Sequence, residues 1–315
     1  MSNPIRLCDP HFHLWDLAER ANPNIGDPPP YKADDYFQDM STLPTELQRV
    51  SGVHVETVVG QITGGAVVDT VEETTWVCDQ LRPTEAVQPF GLVAYAHLAR
   101  DTAEAERTIE AHREVASERL RGIRMILNHH PDNPELTWPQ VEDGVFTLPL
   151  FREGLSLLQR YDLAFDLSCH PHQVADAAAV LSDFPDVRVI TNHLGFLHDG
   201  EDDAHENLWR QSTADLAKLP NVYMKLSMPW FACDGFHEDA GKEAKVRAIF
   251  RELIECFGID RCMFASNYPV DKFKGISINY LYGKFLDWSA DLSDDERRAL
   301  FHDTAIKAYG AFDAK

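Results

Sequence analysis

The sequence predicts an α/β protein, a closed (β/α)8 TIM barrel, and three observations carry that prediction. Short runs rich in Val, Ile, Leu and Phe recur eight times, near residues 5–12, 53–61, 88–96, 121–127, 163–169, 187–192, 221–227 and 261–266. Longer segments with helical spacing of apolar residues lie between them, and such alternation implies parallel βαβ units. No Gly-x-Gly-x-x-Gly follows the first run, which argues against an open dinucleotide-binding sheet. At 315 residues the chain can form one barrel, a fold that takes about 250 residues or more. Residues 1–315 are expected to be a single domain.

The elements follow in order. Helices are predicted at Thr102–Ser117, Leu150–Arg160, Gln173–Asp183 and Lys242–Phe257. A last helix, Ser293–Gly310, opens with Ser-Asp-Asp-Glu, the reciprocal pattern that satisfies two free N–H groups at a helix start. Four connections after strands are long or rich in Pro and Gly: 17–45 (with Pro28, Pro29 and Pro30), 128–147, 194–209 and 229–241. In a barrel these loops sit at the C-terminal face and build the substrate pocket.

Bulk properties narrow the partners. Lys plus Arg is 29 against 51 Asp plus Glu, a formal net charge of -22. Such a surface repels phosphate backbones and anionic lipid, so neither nucleic acid nor membrane is an expected partner. The expected partner is a small-molecule substrate, and a homo-oligomer is compatible with the sequence. The six cysteines are scattered without a Cys-x-x-Cys pair, which fits small core residues better than a disulfide framework or a Cys-rich zinc site. The N-terminal stretch shows no basic region followed by an apolar one, so a cytoplasmic location without a signal peptide is expected.

Chemistry-bearing residues cluster at strand ends. The first run closes with Asp9-Pro10-His11-Phe12-His13, and alternation along a strand puts His11 and His13 on one face. Two neutral imidazoles at that spacing suit a borderline divalent metal such as Zn2+. Thr-Asn-His193 closes the sixth run, placing a third histidine at the same end of the barrel. The fifth ends Asp166-Leu-Ser-Cys-His170-Pro-His172. Either His170 or His172 can complete the cluster, because Pro171 breaks the alternation. Arg124 and Lys225 each interrupt an apolar run. A buried cation is costly unless paired, so each either meets an internal carboxylate such as Asp166 or clamps a substrate carboxylate or oxyanion.

The eighth run reads Arg261-Cys-Met-Phe-Ala-Ser266-Asn267-Tyr268-Pro269-Val-Asp271-Lys272. With this stretch the chain resembles the amidohydrolase-related family of lactone hydrolases and metal-dependent hydrolases. The resemblance rests on Asp-x-His-x-His-Leu-Trp-Asp at the start, Leu-Arg-Gly-Ile-Arg in the middle, His-Leu-Gly after the sixth run, Lys-Leu-Ser on the seventh, and the eighth-run motif. It runs in order from residue 5 to the C-terminal helix. Members include fuconolactone, pyrone-dicarboxylate and sulfomuconolactone hydrolases, and more distant relatives decarboxylate aromatic-derived acids. The resemblance implies an amidohydrolase-like barrel with His-x-His on strand one, further histidines on strands five and six, and an acid on strand eight.

The eighth run departs from that pattern. Asn267 stands where the family usually has Asp, and Asn neither titrates nor accepts the proton of an attacking water. Asp271, four residues on, supplies a carboxylate if the loop folds back.

The expected function is hydrolysis of a lactone or similar cyclic ester of a small anionic catabolic or sugar acid. His11, His13, His170 and His193 are the candidate ligands of a divalent metal, Zn2+ first, though a metal-free route in which histidines polarise the carbonyl also occurs in the resembled family. Asn267, Asp271 and His193 are the candidate catalytic residues. Arg124, Lys225, His172 and Tyr268 are the candidates for substrate binding. Two alternatives share the scaffold: a metal-dependent decarboxylase or lyase, and a non-catalytic ligand-binding barrel whose site has degenerated.

Overall fold

In the computed structural model, which describes residues 3–16, 28–57, 67–200 and 202–310, eight strands pair in parallel in sequence order. They are β1 (Ile5–Phe12), β2 (Leu47–Val55), β3 (Phe90–Tyr95), β4 (Leu120–Ile126), β5 (Ala164–Ser168), β6 (Val189–Thr191), β7 (Val222–Leu226) and β8 (Cys262–Phe264). The helices between them include α1 (Ala33–Met40), α2 (Val67–Leu81), α3 (Thr102–Ala116), α4 (Pro149–Tyr161), α5 (Val174–Leu181), α6 (Asp203–Ala217), α7 (Ala240–Phe257) and α8 (Ile278–Trp288). The (β/α)8 barrel expected from the sequence is the observed architecture.

β8 is only three residues long, so the seam to β1 is closed mostly by the residues just after this strand. Asn267 N donates to the His11 carbonyl at 2.8 Å, and His13 N donates to that of Tyr268 at 2.7 Å. Asp9 stitches the same seam from its side chain, accepting from Ser266 N at 2.9 Å and Ser266 Oγ at 2.6 Å. Tyr36 from α1 donates to Asp9 Oδ2 at 2.8 Å, so the buried carboxylate is fully engaged.

Two apolar layers result from strand alternation. Outward residues such as Leu92, Ile123, Phe165 and Val189 join the helices in the large cluster. Inside the barrel, Cys8, Val53, Val55, Val93, Ile190 and Met263 pack with Ala305, Ala308 and Tyr309 from the C-terminal helical segment. That segment therefore contributes side chains to the barrel's own interior. Five of the six cysteines are buried and all are free thiols, as small core residues would be.

Three segments differ from expectation. The second strand starts at Leu47, not near 53, because Gln48, Arg49, Ser51 and Gly52 break the apolar run. Arg49 is nevertheless buried, its guanidinium lying over the rings of Tyr36 and Phe37 at 5.1 Å each. Positions 58–61 of the expected strand lie outside the described residues. The 17–45 connection contains α1, with residues 17–27 outside the description, and the 194–209 connection already includes the start of α6. The last helix is composite: Asp294–Arg298, a π-type turn at Ala299–Asp303, then Thr304–Tyr309. Among the described residues no helix is long and apolar enough to cross a membrane.

Ser293 caps this last helix as expected. Ser293 N donates to Glu296 Oε2 at 2.8 Å, and Glu296 N donates to Ser293 Oγ at 3.4 Å. Ser293→Ala is expected to cost about 1 kcal/mol in chemical denaturation, with the fold unchanged by circular dichroism.

Candidate active site

β1 delivers His11, and the turn just past it His13, to the barrel interior. His11 Nε2 and His13 Nε2 stand 3.1 Å apart, and the ring of His193 lies 4.6 Å from that of His11. His193 follows β6 and its Nδ1 is held 2.9 Å from Ser227 Oγ, just past β7. His13 Nδ1 lies 2.8 Å from the Val55 carbonyl at the end of β2. Burial keeps all three imidazoles well below the usual histidine range. Lys225 reinforces this most at His11 and His193, and Arg124 at His13. The three are neutral near pH 7.

The two cations found by interruption of apolar runs are both paired internally. Lys225 is fully buried on β7, with Nζ 2.5 Å from Asp166 Oδ1 and 3.0 Å from His11 Nδ1. Burial lowers its ammonium to about 8, with the Asp166 charge opposing the shift. Arg124 on β4 donates from Nε to Glu56 Oε1 at 2.5 Å and from Nη2 to the Glu56 carbonyl at 2.6 Å. Of the two readings open for these cations, the internal one is seen: Lys225 pairs with Asp166, as named from the sequence, and Arg124 with Glu56. Glu56, at the end of an apolar strand, is a partner that sequence reading missed; an acid in that position was the available signal.

Asp271 does fold back to Asn267. Asn267 Nδ2 donates to Asp271 Oδ2 at 2.8 Å, and Trp230 Nε1 donates to the same oxygen at 3.2 Å. The other oxygen, Oδ1, is buried without a hydrogen-bond partner among the described residues. Burial pushes the carboxyl up to about 7, against the lowering effect of the Asn267 and Trp230 hydrogen bonds. Nothing in the sequence points to Trp230.

His170 and His172 do not join the other histidines. His170 Nε2 lies 2.8 Å from the Leu136 carbonyl, and its ring pairs with His130 at 5.8 Å and His172 at 6.0 Å. Phe196 stands between the two groups, 6.1 Å from His170 and 5.5 Å from His193. Burial lowers His170 to about 4 and moves the half-buried His172 downward too. Tyr268, expected to bind substrate, instead donates its hydroxyl to the Ile276 carbonyl at 2.5 Å, and its ring belongs to the core.

A divalent ion would need converging lone pairs. The 3.1 Å between His11 Nε2 and His13 Nε2 is close to the spacing of two ligands on one zinc. However, a lysine that donates to His11 Nδ1 leaves the imidazole proton on Nε2, the atom that would have to ligate. Among the described residues no group of three His, Cys, Asp or Glu side chains is placed to hold a metal. As assembled, the expected four-histidine set does not fit a metal ion.

Comparison with known proteins agrees with this barrel. The sequence model described as amidohydrolase matches residues 8–311. Uncharacterized protein y4mH of Sinorhizobium fredii is 32% identical over 314 residues, covering 97% of this chain and 98% of its own. L-fucono-1,5-lactonase of Burkholderia ambifaria is 27% identical over 305 residues, covering 96% and 92%. An amidohydrolase from Burkholderia multivorans, solved with bound zinc, shares the fold with a TM-score of 0.78 at 24% identity, covering 97% and 99% of the two chains. The chain belongs to the amidohydrolase family of hydrolase enzymes.

Proposed function

We propose that the protein opens a lactone or similar cyclic ester of a small acid by base-assisted attack of water, with Asp271 as the base. One observation carries this reading: a buried carboxylate with one oxygen fixed by Asn267 and Trp230, the other uncommitted, and a pKa near neutrality. A general base works best with a pKa near the working pH. Asn267 takes the place of the usual acid and becomes the group that orients Asp271.

In this mechanism Asp271 Oδ1 takes a proton from water as the water oxygen bonds to the ester carbonyl carbon. The carbonyl oxygen becomes an oxyanion, met by imidazole N–H groups of His11 and His193. Preorganised donors in a dry site stabilise developing charge strongly. Collapse of the tetrahedral intermediate breaks the ring C–O bond, and the proton on Asp271 goes to the leaving alkoxide. The products are a hydroxy acid and the regenerated carboxylate.

Named relatives support the reaction class, since lactonases of fuconic and rhamnonic acids lie among them. Arg124 and Lys225 are engaged with Glu56 and Asp166, so this mechanism asks neither of them to hold a substrate charge. Zinc is bound in the Burkholderia multivorans structure; in this chain each proposed step is taken by a side chain.

A panel of sugar-acid and unsaturated 1,4- and 1,5-lactones, followed by acid release in a pH-indicator assay, tests the reading. At least one lactone is expected to open with a kcat of about 1 per second or more. Folded protein that opens none of them would refute it.

A further inference from the structure

The C-terminal helix reaches the candidate site from below through one side chain. Tyr309 is fully buried, and its hydroxyl lies 3.0 Å and 2.8 Å from the two oxygens of Asp166 on β5. Asp166 Oδ1 is 2.5 Å from Lys225 Nζ on β7, and Lys225 Nζ is 3.0 Å from His11 Nδ1 on β1. His11 Nε2 is 3.1 Å from His13 Nε2, and His13 Nδ1 is 2.8 Å from the Val55 carbonyl. Side chains from β1, β5, β7, the C-terminal helix and the residue just past β1 thus form a continuous buried line.

The two ends of the line dictate every hydrogen in it. The Val55 carbonyl can only accept, so His13 carries its proton on Nδ1 and offers a lone pair at Nε2. His11 must then donate from Nε2, which leaves its Nδ1 as an acceptor. From the other end, the Asp166 carboxylate accepts from Tyr309 and from Lys225. Lys225 has only N–H groups to offer as an ammonium, and so donates to His11 Nδ1 as well. Both directions of reasoning give the same tautomers. A reversed histidine would place two donors or two lone pairs face to face in a buried site and leave those hydrogen bonds unmade.

We propose that Tyr309 and Asp166 are positioning residues which, acting through Lys225, lock His11 as the Nε2–H tautomer, the one that matches the Nδ1–H tautomer set on His13 by the Val55 carbonyl. The His-x-His pair then presents one N–H, on His11 Nε2 and shared between His13 Nε2 and a ligand oxygen, and not two lone pairs. Use of that donor at a substrate oxyanion rests on the hydrolytic reading above; the tautomer lock does not.

The test is 15N NMR of the full chain labelled at histidine, read at pH 7. Wild-type protein is expected to show His11 Nδ1 unprotonated and Nε2 protonated, with His13 the reverse. Tyr309→Phe removes one donor from Asp166. It should leave the circular dichroism unchanged, move the His11 nitrogen signals towards a tautomer mixture, and lower kcat about tenfold with little change in KM. Lys225→Met cannot donate, leaves only the His13 constraint on His11, and should move its nitrogen signals further towards a mixture than Tyr309→Phe does. A wild-type His11 protonated on Nδ1 would overturn the proposal, and so would a folded Tyr309→Phe protein with unmoved His11 signals. The second outcome is decisive even if Lys225→Met fails to fold. Correct tautomers in a protein that opens no lactone would leave the lock standing and remove the hydrolytic reading alone.

Discussion

Replacing Asp271 with asparagine is expected to lower kcat for lactone opening by about 10²–10⁴-fold, the usual contribution of a positioned general base. The carboxamide can still accept from Asn267 and Trp230, which both bond Asp271 Oδ2, so the local fold is preserved. Stability is expected to move the other way. The folded carboxyl titrates at about 7 against an ordinary value of 3.8, so the folded state holds a proton that the unfolded chain has released. This contribution is fully present below about pH 4 and is lost as the pH rises towards 7. Asp271→Asn removes a buried ionised group at pH 8 and should stabilise the protein there by about 2–4 kcal/mol. At pH 4 the gain should vanish. Thermal melts at the two pH values check this, and a purely structural Asp271 would give a loss of stability at both.

Arg124→Met is expected to cost about 3–5 kcal/mol, the range for breaking a buried ion pair by removing one partner. Glu56 would lose the Arg124 guanidinium that faces its Oε1. Nearby Glu73, already pushed up to about 7 by burial and then by the Glu56 charge, would lose the cation that moderates it. Adding Glu56→Gln to Arg124→Met should recover most of the loss, and a double-mutant cycle in urea measures the coupling. A substrate clamp behaves differently: the single variant would keep its stability and raise KM by orders of magnitude.

The barrel was legible because each strand is a short apolar run and each helix an amphipathic one. It was least legible where polar residues occupy a strand for tertiary reasons. Arg49 hides the start of β2 because its burial over Tyr36 and Phe37 depends on how α1 packs back on the strand, which periodicity does not show. His11, His13 and His193 were identified by alternation and by their position at strand ends, and the fold does bring those rings together. Asp271 was found as a nearby carboxylate four residues after Asn267, a separation short enough to judge from sequence.

Arg124 and Lys225 mark the limit of such reading. A buried cation announces that it has a partner, but periodicity cannot say whether the partner is a substrate or a carboxylate two strands away. His170 likewise shares its strand end with the candidate site, yet Leu136 from the long 128–147 connection takes its Nε2. Trp230 and Tyr309 carry no local signal. Each acts across a distance that only the closed barrel defines.

The pH dependence of kcat/KM for lactone opening by the wild-type enzyme tests the central claim most directly, because it reports the free enzyme's base. With Asp271 as that base, activity should rise about tenfold per pH unit below neutrality and level off above an apparent pKa of about 7. Asp271→Asn should abolish that limb. A profile that keeps its rising limb in Asp271→Asn would contradict the account and assign the proton to another group.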